Sequence, residues 1–410
     1  EDYLKDRKIL ESNICNCFFN SPPVIAGNVI LYGPAAVELL SKGAIYGLNI
    51  ETGEVLWKFE TLRDHPDSWL EEHREVGGGF PWMPGTYDPE LDLVYWTTGN
   101  PAPDWNGDAR LGDNLFSDSV LAIRPDTGER EWYYQFTPHD VWDYDGNSHL
   151  FQTDMVVDGE PTKAIVQANR NGFFYAINRE NGEFIRATSY MEQLNWADAM
   201  ETDGRPVINI EAMPSEEPTM RVCPGALGGM NGAVAGSLNP DLGFAFIPVI
   251  ESCQLMQKGI SMHVEGNLFT GGLPISVDGV EDSEGNVPAY GHISAVDYHT
   301  GEIAWRYYDP QPMMAGTLST AGGLVFTGSQ TGHALGLDAS TGQVLWKRRL
   351  GGGVRSQPIA YELNGEAYVA IASGNFQGIA AFSGADVSVP EGGQLYVFKL
   401  PSEPAGSADD

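Results

Sequence analysis

The sequence predicts an all-β fold, a β-propeller of four-stranded blades, on three observations. A turn signature recurs at long intervals, the segments around it are short and rich in β-branched and aromatic residues, and helical periodicity is scarce. The signature is an apolar pair, a polar residue, a turn ending in Gly, and an aromatic four residues after that Gly. It reads "GLNIETGEVLW" (Gly47 to Trp57), "AIRPDTGEREW" (Ala122 to Trp132), "AVDYHTGEIAW" (Ala295 to Trp305) and "GLDASTGQVLW" (Gly336 to Trp346). A degenerate copy, "AINRENGEFIR" (Ala176 to Arg186), has Arg where Trp is expected. Each copy reads as strand, tight turn, strand, because Gly supplies the positive φ the turn needs. The constant offset of the Trp lets every copy dock it at the same place in a neighbouring unit.

The flanking segments, among them "PPVIAGNVILYG", "LDLVYWTTG", "KAIVQANRNGFFYAI" and "AYVAIASG", complete the units. About six are expected, near 22–57, 86–132, 147–186, 230–305, 313–346 and 354–400. The propeller therefore spans 22–400, after an N-terminal segment 1–21 of no clear structure. The polar stretch 187–230 reads as a surface insert, and 401–410 as a disordered tail.

Composition narrows the function. The chain has 410 residues, with 23 Lys and Arg against 56 Asp and Glu, a formal charge of −33. Nucleic acid and anionic membranes repel such a field, whereas a small neutral substrate, a cation or a basic protein suits it. No apolar run is long enough for a membrane span, and "EDYLKDRKIL" is not a signal peptide. Of the cysteines Cys15, Cys17, Cys223 and Cys253, the "CNC" pair is a poor zinc or redox motif, and no C-x-x-C-H attaches a haem. Buried thiols and a Cys223–Cys253 bridge both remain open, the bridge marking an oxidising compartment.

The oddest stretch is "TPHDVWDYDG", in which Asp143 and Asp145 stand two apart. On an extended backbone both point to one side, where like charges repel. A cation would justify the pairing; alternatively, Asp145-Gly146 is an ordinary turn facing solvent.

Longer motifs are recognisable. The T-G-x-x-x-W turns, "TTGNPAPDWNGDARLGDN", "TPHDVWDYDG", "ANRNGFFYAINRENG", "VCPGALGGMNGAV" and "TAGGLVFTGSQTG" occur in family order. The chain resembles the pyrroloquinoline quinone (PQQ) dependent alcohol dehydrogenases of the methanol dehydrogenase type, from about residue 22 to 400. The resemblance implies a periplasmic enzyme that oxidises a primary alcohol to an aldehyde and passes electrons to a soluble cytochrome c. A homodimer stays open.

The resemblance also implies site residues. Glu38 in "VELLSKG" and Asn100 in "TTGNPAP" match metal ligands, Trp82 the floor under the quinone, and Asp143 the catalytic base. Arg170 matches the arginine on the reactive carbonyl, Asn231 a further cofactor contact, and Cys223 and Cys253 a structural bridge. The chemistry is coherent. A flat quinone stacks on an indole, carboxylate and amide oxygens hold a hard cation, and a carboxylate takes the hydroxyl proton. Asp145 stands where the lanthanide-dependent branch has aspartate and the calcium-dependent members have a small neutral residue. With Glu38 and Asp143 it would balance a trivalent ion, so a lanthanide is expected, with Ca2+ as the alternative.

Taken singly, Glu38 reads as a surface acid, Trp82 as core, Arg170 as a hairpin residue and Asn100 as a strand end. The sequence also departs from the family at Ala35, Phe80, Gly232 and Met314, and no adjacent-cysteine pair precedes Glu38. Family members have eight blades and more sequence before that glutamate, so about two N-terminal blades are expected to be missing. The competing function is a non-enzymatic propeller scaffold that has lost its cofactor.

Overall fold

The computed structural model describes residues 21–36, 41–62, 68–69, 77–230, 232, 234–264, 268–277, 289–374 and 393–399. Glu38, Asn231, Cys15, Cys17, most of the N-terminal segment and the tail lie outside these residues.

The chain divides into two compact units. Unit 1 holds blade 1 (Val24–Ala26, Val29–Tyr32, Ala44–Asn49, Val55–Glu60), blade 2 (Thr86–Asp88, Leu93–Thr97, Ser119–Ile123, Arg130–Gln135) and blade 3 (Phe151–Val157, Glu160–Ala168, Phe173–Asn178, Phe184–Ser189). Unit 2 holds blade 4 (Ser237–Asn239, Phe244–Glu251, Tyr290–Asp297, Ile303–Asp309), blade 5 (Leu318–Ser319, Leu324–Gly328, His333–Asp338, Val344–Arg349) and blade 6 (Gly353–Val354, Ile359–Leu363, Glu366–Gly374, Gly393–Lys399). All six are four-stranded and antiparallel. The first five pair as meanders of consecutive neighbours, whereas in blade 6 the first two strands share one edge of Glu366–Gly374. No described helix is long and apolar enough to cross a membrane.

The signature turn is built the same way in every copy. The amide of Gly53, Gly128, Gly182, Gly301 or Gly342 donates to the carbonyl four residues back, at 2.7–2.9 Å. Those glycines have φ between +70° and +80°, where a Cβ would be strained. The side chains of Asn49, Asn178, Asp297 and Asp338 accept the amide two residues on, as Asx turns do.

The Trp then docks on the next blade. Trp57 lies over Gly128, where a Cβ would fall 2.5 Å from the indole, and its Nε1 donates to Pro125 O at 2.9 Å. Trp305 repeats this over Gly342, donating to Ala339 O at 3.0 Å. Trp132 covers Gly182 likewise, but the equivalent acceptor, Arg179 O, is taken by the Tyr95 hydroxyl at 2.8 Å. The Trp132 Nε1 is buried without a hydrogen-bond partner.

The insert 187–230 is more ordered than its polar composition suggests. It carries a two-stranded sheet (Ala197–Met200 with Pro206–Ile208) and a single 3-10 turn at Ile210–Ala212. Trp196 anchors it. This side chain is fully buried, donates to Asn171 O at 2.7 Å, and packs on Trp142 and Tyr144 with centroids 5.2 and 5.3 Å away. Burying so large an aromatic outweighs the polar flanks. The insert thereby clamps the segment that carries Asp143.

Candidate active site

The stretch 137–147 is a folded loop rather than a strand. His139, Asp143 and Asp145 adopt φ of +53°, +63° and +59°, a region that Asp tolerates better than most residues. Asp140 enforces this bend, its carboxylate accepting the amides of Trp142 and Tyr144 at 2.8 Å each. The Trp142 and Tyr144 rings, both fully buried, stack against each other at 19°. Trp142 Nε1 donates to Ala212 O and Tyr144 Oη to Pro224 O, each at 2.8 Å.

The two aspartates that flank Tyr144 meet one guanidinium. Arg170 donates from Nη1 to Asp145 Oδ2 at 2.7 Å and from Nη2 to Asp143 Oδ2 at 3.2 Å. Its Nε donates to Ala226 O at 2.8 Å. Burial opposes the charge on Arg170, but Asp143, Asp145 and Asp140 outweigh it and hold the pKa above its ordinary value. The repulsion expected between the two carboxylates is thus offset here by a shared cation of the chain itself.

Asp145 does not face solvent, being 4% exposed. Its Oδ1 accepts from Trp82 Nε1 at 3.2 Å and from the Asn100 amide at 3.1 Å. The Asn100 Nδ2 donates to Asp104 Oδ1 at 3.1 Å, which fixes the amide and leaves Oδ1 as its accepting atom. Gly99 makes the approach feasible, because a Cβ there would stand 2.6 Å from Asp145 Oδ1. Trp82, Asn100, Asp143, Asp145 and Arg170 therefore lie together; Glu38 and Asn231 are outside the described residues. Next to Asn231, a Cβ on Gly232 would collide with Asn147 O at 2.2 Å and with the Trp82 ring at 2.9 Å.

Sequence reading passed over the support beneath this cluster. Arg110 is fully buried and donates to Pro103 O, Asp140 O and Asn114 Oδ1, and burial pulls its pKa down to about 10. Asp118 is also fully buried. Burial, then the charges of Asp140 and Asp145, push it well above the usual carboxylate range. A raised acid binds its proton more tightly in the folded than in the unfolded chain. Its penalty is absent below the unfolded value of about 3.9 and grows as pH rises towards the folded value. Asp118→Asn, neutral at every pH, should therefore flatten the decline of Tm with rising pH. Parallel Tm–pH curves for the two proteins would contradict this.

Cys223 and Cys253 are disulfide-bonded across a separation of 30 residues. The bond joins the segment leading to Ala226 to the strand beginning at Gln254, whose Oε1 accepts the Ala226 amide at 2.7 Å. Closing a loop of this length stabilises by about 3–4 kcal/mol in the chain-entropy model. The double Cys→Ala variant should lose about that much in denaturant unfolding.

The donor set fits the groups that the resemblance implies. Two carboxylates and an amide oxygen are hard ligands for a hard cation. No three His, Cys, Asp or Glu side chains converge among the described residues, so an acidic third ligand would have to come from elsewhere. Trp82, half-buried and pinned through Nε1, offers an indole face of fixed orientation.

Comparison with known proteins bears on the family and the fold. Residues 5–192 match the family model "Glucose/ethanol/alcohol dehydrogenase, beta-propeller domain", and 289–389 match "Outer membrane protein assembly factor BamB". The chain is 34% identical to the quinoprotein alcohol dehydrogenase PedH of Pseudomonas putida, over 94% of this chain and 68% of the relative. It is 30% identical to the lanthanide-dependent methanol dehydrogenase of Methylacidiphilum fumariolicum, over 92% and 69%. It spans only 57% of the quinohemoprotein alcohol dehydrogenase ADH-IIG of Pseudomonas putida, at 33% identity over 95% of this chain. Among solved structures, a europium-containing methanol dehydrogenase superposes with a TM-score of 0.84 at 29% identity, over 93% of this chain and 74% of that one. The quinohemoprotein alcohol dehydrogenase of Comamonas testosteroni gives 0.85 at 27%, over 95% and 61%.

Proposed function

Because the chain belongs to the PQQ-dependent alcohol dehydrogenase β-propeller family, we propose that it oxidises a primary alcohol to an aldehyde with PQQ and a bound metal ion. It acts in the periplasm and passes electrons to a cytochrome c. The observation that carries the proposal is the convergence of Asp143, Asp145, Arg170, Asn100 and Trp82 from four separate segments.

Bound there, the quinone supplies the hydride acceptor and the ion the Lewis acidity. The chain's own residues do the rest. Asp143, the more exposed of the two aspartates at 20% of its side chain, takes the alcohol's hydroxyl proton. Arg170 keeps that carboxylate aimed. Trp82 supplies the stacking face, held by Asp145. Asn100, Asp143 and Asp145, with Glu38, would hold the cation. Three carboxylates match a trivalent ion better than a divalent one, which favours a lanthanide over Ca2+.

Dye-linked alcohol oxidation by the protein reconstituted with PQQ and either La3+ or Ca2+ tests the activity. Turnover is expected, and faster with La3+. PQQ retained without turnover on any primary alcohol would favour the scaffold reading.

A further inference from the structure

Segment 259–264 has its polarity reversed. Ile260, Met262 and Val264 are 82%, 62% and 49% exposed, while the alternating Ser261 and His263 are turned inward. The Ser261 hydroxyl is buried without a hydrogen-bond partner, and the His263 ring packs edge-on against the buried Phe269, 5.6 Å away. Leu268, beside Phe269, is also outward and mostly exposed. An extended segment normally hides its apolar face; one that presents it is built to be covered.

What surrounds this segment is mainly acidic, the adjacent Lys258 being paired with Asp108. The preceding strand Gln254–Lys258 bridges to Ser215, and Gln257 Nε2 donates to Glu216 O at 2.8 Å. This places the exposed Glu216 and Glu217 at its side, with Glu211 and the exposed Ile210 on the turn just before them. Residues 192–217 carry seven acids (192, 198, 201, 203, 211, 216, 217) against one arginine, Arg205, which is paired with Asp113. An anionic lipid surface is repelled by this rim, and so is a second copy with a charge of −33.

We propose that Ile260, Met262, Val264 and Leu268, rimmed by Glu211, Glu216 and Glu217, form the docking surface for a basic one-electron carrier protein. The proposal rests on the alcohol-oxidation reading. Converting an alcohol to an aldehyde releases two electrons and two protons, so two carriers are reduced per aldehyde. The surface is tied to the site at both ends. Gly259 O accepts from Asn106 Nδ2 at 2.7 Å and Thr270 O from the Trp105 amide at 2.9 Å, on the segment that begins at Asn100. Gln254, on the strand leading into the loop, holds the residue that receives Arg170.

The test is binding of an oxidised basic c-type cytochrome to the full chain, by calorimetry at low and high ionic strength. The variants are Ile260→Ser/Met262→Ser, Glu211→Lys/Glu216→Lys/Glu217→Lys, and the exposed control Glu160→Lys. Both multiple variants should raise Kd about tenfold or more, and the charge reversal should flatten the salt dependence, while the control changes neither. Cytochrome-linked turnover should fall in parallel, with dye-linked turnover unchanged. Wild-type protein that fails to bind, variants that bind as it does, or a wild-type homodimer that the Ile260→Ser/Met262→Ser pair dissolves would each overturn the proposal. Intact binding with no dye-linked turnover in any protein would instead count against the activity.

Discussion

Asp143→Asn is expected to remove alcohol turnover, by about 10²–10⁴-fold, while leaving PQQ retention unchanged. The substitution tests the proton-accepting role because the fold tolerates it and the Asn amide oxygen can still serve as a hard ligand. Asp143 sits at φ +63°, a conformation that Asn also adopts readily, and its side chain is not wholly enclosed. The Asn carbonyl can still accept from Arg170 Nη2, which now lies 3.2 Å from Oδ2. What disappears is the negative charge that takes the hydroxyl proton. Turnover at the wild-type rate would mean that another group is the base.

Asp145→Ala should do more structural damage and change the metal response. Asp145 is the acceptor for Arg170 Nη1, Trp82 Nε1 and the Asn100 amide together. Arg170 and Asp145 side chains are each only 6% exposed. Removing one partner of a buried pair costs about 3–5 kcal/mol when the other charge is stranded; Arg170 keeps Asp143 and the Ala226 carbonyl, so the loss here should fall below that range. We expect weaker PQQ retention and selective loss of the La3+ response, with any residual activity supported equally well by Ca2+. Asp145→Asn should recover most of the stability but not the preference for La3+. Full activity of wild type with Ca2+ alone, together with an unchanged metal preference in Asp145→Ala, would leave Asp145 a purely structural residue.

The blades were legible because their signals are local. A turn that needs Gly at positive φ, an Asx cap and a Trp at fixed offset all fall within eleven residues, as in "GLDASTGQVLW". The clustering of Trp82, Asn100, Asp143, Asp145 and Arg170 was legible only through the family's long motifs, since each residue alone reads blandly. What escaped depends on distant packing. Nothing in "MEQLNWADAM" announces that Trp196 will close over Trp142 and Tyr144. Gly99 looks like a strand end until the Asp145 carboxylate is seen 2.6 Å from its absent Cβ. Asp118, Asp140 and Arg110 read as surface charges by type, and only the fold buries them together. The one partial clue was "GISMHV", where apolar and polar residues alternate as in a strand; which face points outward is set by the packing of His263 on Phe269.

If Asp143, Asp145, Asn100, Arg170 and Trp82 form a metal-dependent quinone site, the chain should retain PQQ only when a metal is supplied. Equilibrium binding of PQQ tests it most directly, read as quinone absorbance retained by the protein after gel filtration, with La3+, with Ca2+ and with chelator. The expected result is one PQQ per chain with La3+, less with Ca2+, little with chelator, and marked loss in Trp82→Ala and Asp145→Ala. No retained quinone under any metal condition, or retention indifferent to both substitutions, would contradict it.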